Sequence, residues 1–160
     1  MDSVLHAHEF VLKDDQLALL SPLARAFRDR FASELGHVPY EESFNDRYEL
    51  VIPAAHPSVG ALWVWDDGDE LTIGLGVHHH WHVSLYMYAE EREADRLALA
   101  AAGAVESVRD VFEGRTVLRV RRRLGKLVSS TTYLLANAEI AAPSPDDTEY
   151  LWDGPRVGRR

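Results

Sequence analysis

Glu70-Leu71-Thr72-Ile73-Gly74-Leu75-Gly76-Val77-His78-His79-His80-Trp81-His82-Val83-Ser84-Leu85-Tyr86-Met87-Tyr88 is the stretch on which the fold turns. Leu71, Ile73, Leu75 and Val77 share one parity, and Thr72, Gly74 and Gly76 the other. After the histidines, Val83, Leu85 and Met87 alternate in the same way with His82, Ser84, Tyr86 and Tyr88. Successive side chains of a strand point to opposite faces, so the pattern describes a ribbon with one oily and one polar face. A parallel sheet covered on both sides would read as an unbroken apolar run; the alternation implies an antiparallel sheet covered on one side. The stretch is too long for one strand, so a turn is expected near Gly76 to His80, with the two halves paired.

Upstream, Ala61 to Trp65 is a short apolar strand, and Asp66-Asp67-Gly68-Asp69 carries an Asp-Gly hairpin signal that returns the chain into Glu70 to Val77. Tyr48 to Ile52 is a further strand, and His37 to Asp46 reads as polar turn. Before it, Leu17, Leu20, Leu23, Ala24, Phe27, Phe31 and Leu35 recur every three or four residues. This predicts an amphipathic helix over residues 15 to 35, which Gly36 ends. Pro22 leaves two openings for it: a helix beginning with Ser21 as N-cap, or a short turn before it. Downstream, residues 90 to 112 carry the stripe Ala94, Leu97, Ala98, Ala101, Val105, Val108, Val111 and Phe112, a long helix closed by Gly114. Thr116 to Leu124 and Lys126 to Leu135 are two more strands. Residues 143 to 160 read as an extended tail pinned by Tyr150, Leu151 and Trp152, following a single domain over residues 1 to 142. The expected fold is α+β: an antiparallel sheet of about six strands, covered on one face by two helices.

Composition narrows the functional classes. With 160 residues, 46% hydrophobic and 27% charged, the chain has the balance of a globular protein around one core. There is no cysteine, so any metal would need His, Asp or Glu. No apolar run is long enough to span a bilayer and the N-terminus lacks a signal pattern, so no membrane association and a cytoplasmic location are expected. The net charge of -9 is uneven: residues 1 to 114 carry -13 and residues 115 to 160 carry +4. An acidic surface argues against nucleic acid and favours a basic or mixed-charge protein partner; alternatively, the acidity serves only solubility.

Half of the eight histidines stand at His78, His79, His80 and His82. Imidazole both ligates metals and moves protons near neutrality. In an extended strand His80 and His82 share a face, and His78 would join them, so the spacing permits zinc at His78, His80 and His82. A metal-dependent hydrolase would use that ion to lower the pKa of bound water. The structural alternative is a His-rich turn, partly solvated, with Trp81 packed inward. His6 and His8 could extend such a site. Asp66, Asp67, Asp69 and Glu70 could hold a hard cation but suit a hairpin tip equally. Ser129, Ser130, Thr131 and Thr132 lack a nucleophile elbow, and Gly74-Leu75-Gly76 lacks the third glycine and the helix of a dinucleotide fingerprint. No cofactor other than a zinc ion is implied. The polar sheet face, carrying His82, Ser84, Tyr86 and Tyr88 together with Arg119, Arg121 and Arg123, reads as a protein-binding surface.

Glu70-Leu71-Thr72-Ile73-Gly74, leading through Gly76 to the His78–His82 run and followed by a strand and a long helix, resembles a pattern in small bacterial proteins, some of them immunity partners of polymorphic toxins. The resemblance covers about residues 60 to 135. It implies a cytoplasmic bacterial protein that binds and neutralises a toxin without chemistry of its own. The run of histidines is longer than that pattern carries. Binding is therefore the first expectation, with the zinc hydrolase as alternative.

Overall fold

A computed structural model describes residues 12–136 and 143–156. His6 and His8 lie outside the described residues. The chain is α+β, as expected, but its strands form two antiparallel sheets instead of one. Helix α1 (Asp14–Ala18) and helix α2 (Pro22–Leu35) precede strands β1 (Glu41–Phe44), β2 (Tyr48–Ile52), β3 (Leu62–Asp66), β4 (Glu70–Leu75) and β5 (His79–Ser84). These five pair in chain order as a meander. Helix α3 (Glu93–Phe112) leads to β6 (Thr116–Arg123), β7 (Lys126–Leu134), β8 (Asp147–Leu151) and β9 (Gly154–Pro155), which form the second sheet in the order β7-β6-β8-β9.

The helical stripe over residues 15 to 35 divides in two because Ser21 and Pro22 impose a start. Ser21 Oγ accepts the Ala24 N–H at 3.0 Å, and Pro22, which has no N–H to lose, occupies the first turn. Leu23, Ala24, Phe27, Phe31 and Leu35 are then buried on one side of α2. Helix α3 buries Ala100, Ala101, Ala104, Val105, Val108 and Val111. It packs beside α2 and touches β4, β5 and β6, so it bridges the two sheets. One apolar cluster joins both helices to Leu50, Leu62, Val64, Leu71 and Ile73 of the first sheet and to Leu118 and Val120 of the second.

All six expected strands are present, and three were not foreseen. β1 falls in the segment read as polar turn. Its Glu42 points inward, which disguises it in sequence; the carboxylate takes two hydrogen bonds from the Arg28 guanidinium (2.9 and 3.0 Å) and one from Tyr48 Oη (2.7 Å). A buried carboxylate is tolerable only when its lone pairs are satisfied in this way. Burial, and then Glu42, push the Tyr48 hydroxyl far above its ordinary pKa, so it stays a donor. β8 and β9 lie in the segment expected to be a tail. That segment is extended and its Tyr150, Leu151 and Trp152 are partly or fully buried, but β8 is hydrogen-bonded to β6 as a sheet member. With β7 on one edge of β6 and β8 on the other, no edge of β6 remains for β5, and the sheet splits in two.

The decisive stretch folds as its alternation requires as far as Ser84. β4 and β5 pair from Glu70↔Ser84 to Leu75↔His79 across a turn over residues 76–78. Beyond that point the expectation of a strand to Tyr88 is corrected. Ser84 Oγ accepts the Tyr86 N–H at 3.2 Å and residues Leu85–Met87 form a 3-10 turn. A local side-chain bond of this kind competes with the sheet ladder and ends it.

Candidate functional site on the outer face of the meander

The side of the five-stranded sheet away from the helices is not simply polar. Because Asp66–Leu71 closes the β3–β4 hairpin, Leu62 and Val64 point to the core while Trp63 and Trp65 point out. Two adjacent cross-strand rows result: Val51, Trp63, Gly74 and His80; and Glu49, Trp65, Thr72 and His82. The two indoles stack at 4.0 Å between ring centroids, 27° from parallel. The Arg47 guanidinium sits 3.8 Å over the Trp65 ring, where the π-quadrupole attracts a cation. Gly74 is required here, because a Cβ would collide with the Trp63 ring.

Hydrogen bonds fix the orientation of each group. Trp63 Nε1 donates to Gly76 O (3.0 Å) and Trp65 Nε1 to Glu49 Oε1 (2.7 Å). Thr72 Oγ1 donates to Asp67 Oδ2 (2.6 Å), having His82 Nδ1 at 3.1 Å; the same nitrogen is 2.7 Å from Glu70 Oε1. Thr72 has spent its only proton on Asp67, and Glu70 is a carboxylate, so both neighbours of His82 Nδ1 are acceptors. The proton belongs on Nδ1, and Nε2 is the available nitrogen. His80 lies edge-on to His82 with ring centroids 5.3 Å apart.

The four histidines divide among three settings. His80 and His82 belong to the outer face. His79 Nδ1 lies 3.3 Å from Ser130 Oγ, whose own proton goes to His78 O, and this pair of contacts ties the β4–β5 turn to β7. His78 stands in the turn with a buried Nδ1 that has no hydrogen-bond partner. Burial first, then Arg122, lowers the His78 pKa; burial and then His80 lower that of His79, so both are held neutral. The expected convergence of His78, His80 and His82 on one ion does not occur, because the turn takes His78 out of the extended run. Among the described residues no three His, Asp or Glu side chains are grouped to hold a metal.

The acidic hairpin tip is occupied by its own contacts. Asp66 accepts the Ser21 N–H (2.9 Å) and the Gly68 N–H (2.9 Å), Asp67 pairs with Arg47 (2.9 Å), and Asp69 accepts from Tyr86 Oη (2.9 Å). These bonds lock the hairpin to the start of α2 and to the turn after β5.

Of the residues assigned to one binding face, the structure keeps only His82 and Ser84 on the meander's outer side. Tyr86 is exposed in the turn after β5, while Tyr88 packs against the core with its hydroxyl over Gly103 of α3. Arg119, Arg121 and Arg123 belong to β6 in the other sheet. Arg119 donates to Glu149 (2.7 Å), Arg121 to Asp147 (2.8 Å), and Arg123 lies 3.9 Å from Asp146. Trp63 and Trp65 were missed, although the Asp-Gly turn fixes their parity in sequence. Ala61 to Trp65 is apolar throughout in sequence, so no polar alternation marks its two faces.

An open cleft of about 340 Å³ between the sheets is lined by Trp81, Ser107, Asp110, Thr116, Thr132, Tyr133 and Leu134. Its one carboxylate, Asp110, is held by Arg115 at 2.6 Å. Among the described residues no helix is long and apolar enough to cross a membrane. No family model matches the chain, and no curated protein or solved structure shows significant similarity to it.

Proposed function

We propose that the protein is a binding module that recognises a protein partner through the outer face of the five-stranded sheet, with no chemistry of its own. The observation that carries this reading is the Trp63–Trp65 stack, partly exposed on the sheet's outer face and flanked by Arg47, His80 and His82. Tryptophan and arginine dominate the binding energy of protein interfaces, because large rigid surfaces gain contact area at little entropic cost. Glu41, Glu49, Asp67 and Glu70 rim the face and suit a partner of basic character. The narrower form of the reading is that the partner is a toxin which the protein masks, in the cytoplasm of a bacterium. Neutralisation by masking needs only such a face. A hydrolase at the histidines would need a third ligand that the turn at His78 does not supply.

The test is site-specific photo-crosslinking in the source cells. A photoreactive residue at His80 should capture a discrete protein that the same residue at Asp95, on α3, does not, and Trp65→Ala should abolish the adduct. Equal capture from both positions, or an adduct indifferent to Trp65→Ala, would sink the reading.

A further inference from the structure

Strand β7 presents an edge whose character differs from the rest of the molecule. β6 takes one side of it, and among the described residues no strand pairs with the other. Leu135 donates its N–H to Arg115 O, which sets the phase of the ladder. Antiparallel pairs alternate between hydrogen-bonded and non-bonded, so Tyr133 and Thr131 turn their backbone groups toward β6, while Leu134, Thr132 and Ser130 turn theirs outward. A register shift leaves Val128 bulged, so the free ladder runs over residues 129–133 with apolar residues on either side.

Edge strands are ordinarily blunted by charge or proline. The segment from Leu127 to Leu135 contains neither, in a chain of which 27% is charged. Leu127, Val128, Leu134 and Leu135 are 40%, 54%, 41% and 43% exposed. The segment also reads nearly the same in both directions. Reversed about Thr131, it sets Ser130 against Thr132, Ser129 against Tyr133, Val128 against Leu134 and Leu127 against Leu135. That register matches the backbone phase, since Ser130 and Thr132 both direct their N–H and C=O groups outward and would form a hydrogen-bonded pair.

We propose that β7 is a homodimerisation edge, with two copies pairing antiparallel about a twofold axis at Thr131 so that two four-stranded sheets become one of eight. A twofold interface must be complementary to itself, and a near-palindromic strand meets that condition without further adjustment. The strand carries no charged residue between Leu127 and Leu135, so the proposed register places no two like charges opposite each other. The apolar residues at the two ends cover one another across the axis.

The cysteine-free sequence allows a direct test on the full chain. At the axis the two Thr131 residues form a non-hydrogen-bonded pair with Cα atoms about 4.5 Å apart, within disulfide reach. Thr131→Cys should therefore oxidise to a covalent dimer at least about tenfold faster than Ser33→Cys on α2, since an ordered pair raises the effective thiol concentration. Sedimentation of the unmodified chain should give a dimer, and Thr131→Glu, which sets two carboxylates face to face, should give a monomer with an unchanged circular-dichroism spectrum. Should Thr131→Glu perturb folding, Val128→Lys at the exposed bulge provides the same readout. A monomer at high micromolar concentration, a dimer indifferent to both substitutions, or equal oxidation at Thr131→Cys and Ser33→Cys would overturn the proposal.

Discussion

The two sheets are held together by different physics. The meander rests on apolar side chains: Leu50, Leu62, Val64, Leu71 and Ile73 are wholly buried against α2 and α3. The second sheet relies more on ions, with Arg119 on Glu149, Arg121 on Asp147, Tyr133 on Glu149, and Arg156 on the same carboxylate. Hydrophobic burial does not depend on pH and is strengthened, not screened, by salting-out ions, whereas partly exposed ion pairs respond to pH and are weakened by salt. A sheet anchored from its inner side can present unusual residues outward, and Trp63, Trp65, His80 and His82 stand on the meander, not on the sheet whose outer side is filled by its own ion pairs.

Removing core volume from the meander should have the largest effect. Ile73→Ala deletes buried methyl groups at the centre of β4 and should cost about 3–4 kcal/mol, read as a lower denaturation midpoint at constant slope. An Ile73→Ala variant as stable as the parent would show that the inner face is not the foundation described. Nearly as large is the effect of Arg28→Ala, which strands the Glu42 carboxylate (4% exposed) and should cost about 3 kcal/mol. Joint replacement, Arg28→Met with Glu42→Leu and Tyr48→Phe, should recover most of that loss, because neither an uncompensated charge nor an orphaned buried hydroxyl remains.

Gly74→Ala should have an intermediate effect, about 1–3 kcal/mol, because the new methyl displaces the Trp63 ring. Its more telling readout is optical: the exciton couplet of the Trp63–Trp65 stack in circular dichroism should vanish while the fold persists. An unchanged couplet would mean that the indoles do not stack on the sheet.

Acidification separates the regions most finely. Arg121, with the Ser144 N–H, pulls Asp147 down to about 2, below its ordinary 3.8. Burial opposes ionisation of Glu149, but Tyr133 and Arg119 outweigh it and leave that carboxyl low as well. Groups with a depressed folded pKa stabilise above their unfolded value and lose that contribution as pH falls through the folded one. The second sheet should thus lose hydrogen-exchange protection between about pH 4 and 2, before the meander does. The neutral His78 and His79 follow the same sign at higher pH, so the contact of the β4–β5 turn with β7 should begin to loosen below 6.5. Simultaneous loss of protection in both sheets would show that the ion pairs do not set the second sheet apart.

What sequence could convey follows from these forces. Apolar periodicity is a direct record of burial, so Leu71, Ile73 and Leu75 revealed β4, and Phe27 and Phe31 revealed α2. Strands built on polar residues left no such record. Glu42 makes β1 look like a turn because its partners Arg28 and Tyr48 are distant in the chain. Asp147 and Glu149 make β8 look like a tail because Arg121 and Arg119 lie in another strand. The split into two sheets depends on β8 taking an edge of β6, a long-range choice that no local pattern encodes. The histidines were visible at once, yet their division depended on where the chain turns, and Gly76 to His78 withdrew one imidazole from the other two. Trp63 and Trp65 could have been placed outward by counting back from Gly68, since the hairpin fixes their parity.

Hydrogen exchange of the protein, free and bound to the partner captured through His80, tests the central claim most directly. Slowed exchange should centre on Arg47 to Val51, Leu62 to Asp66 and His79 to Ser84, with α3 and β8 unchanged. Protection confined to the helices or the second sheet, with β3 and β5 exchanging as in the free protein, would contradict the assignment of the tryptophan–histidine face as the recognition surface.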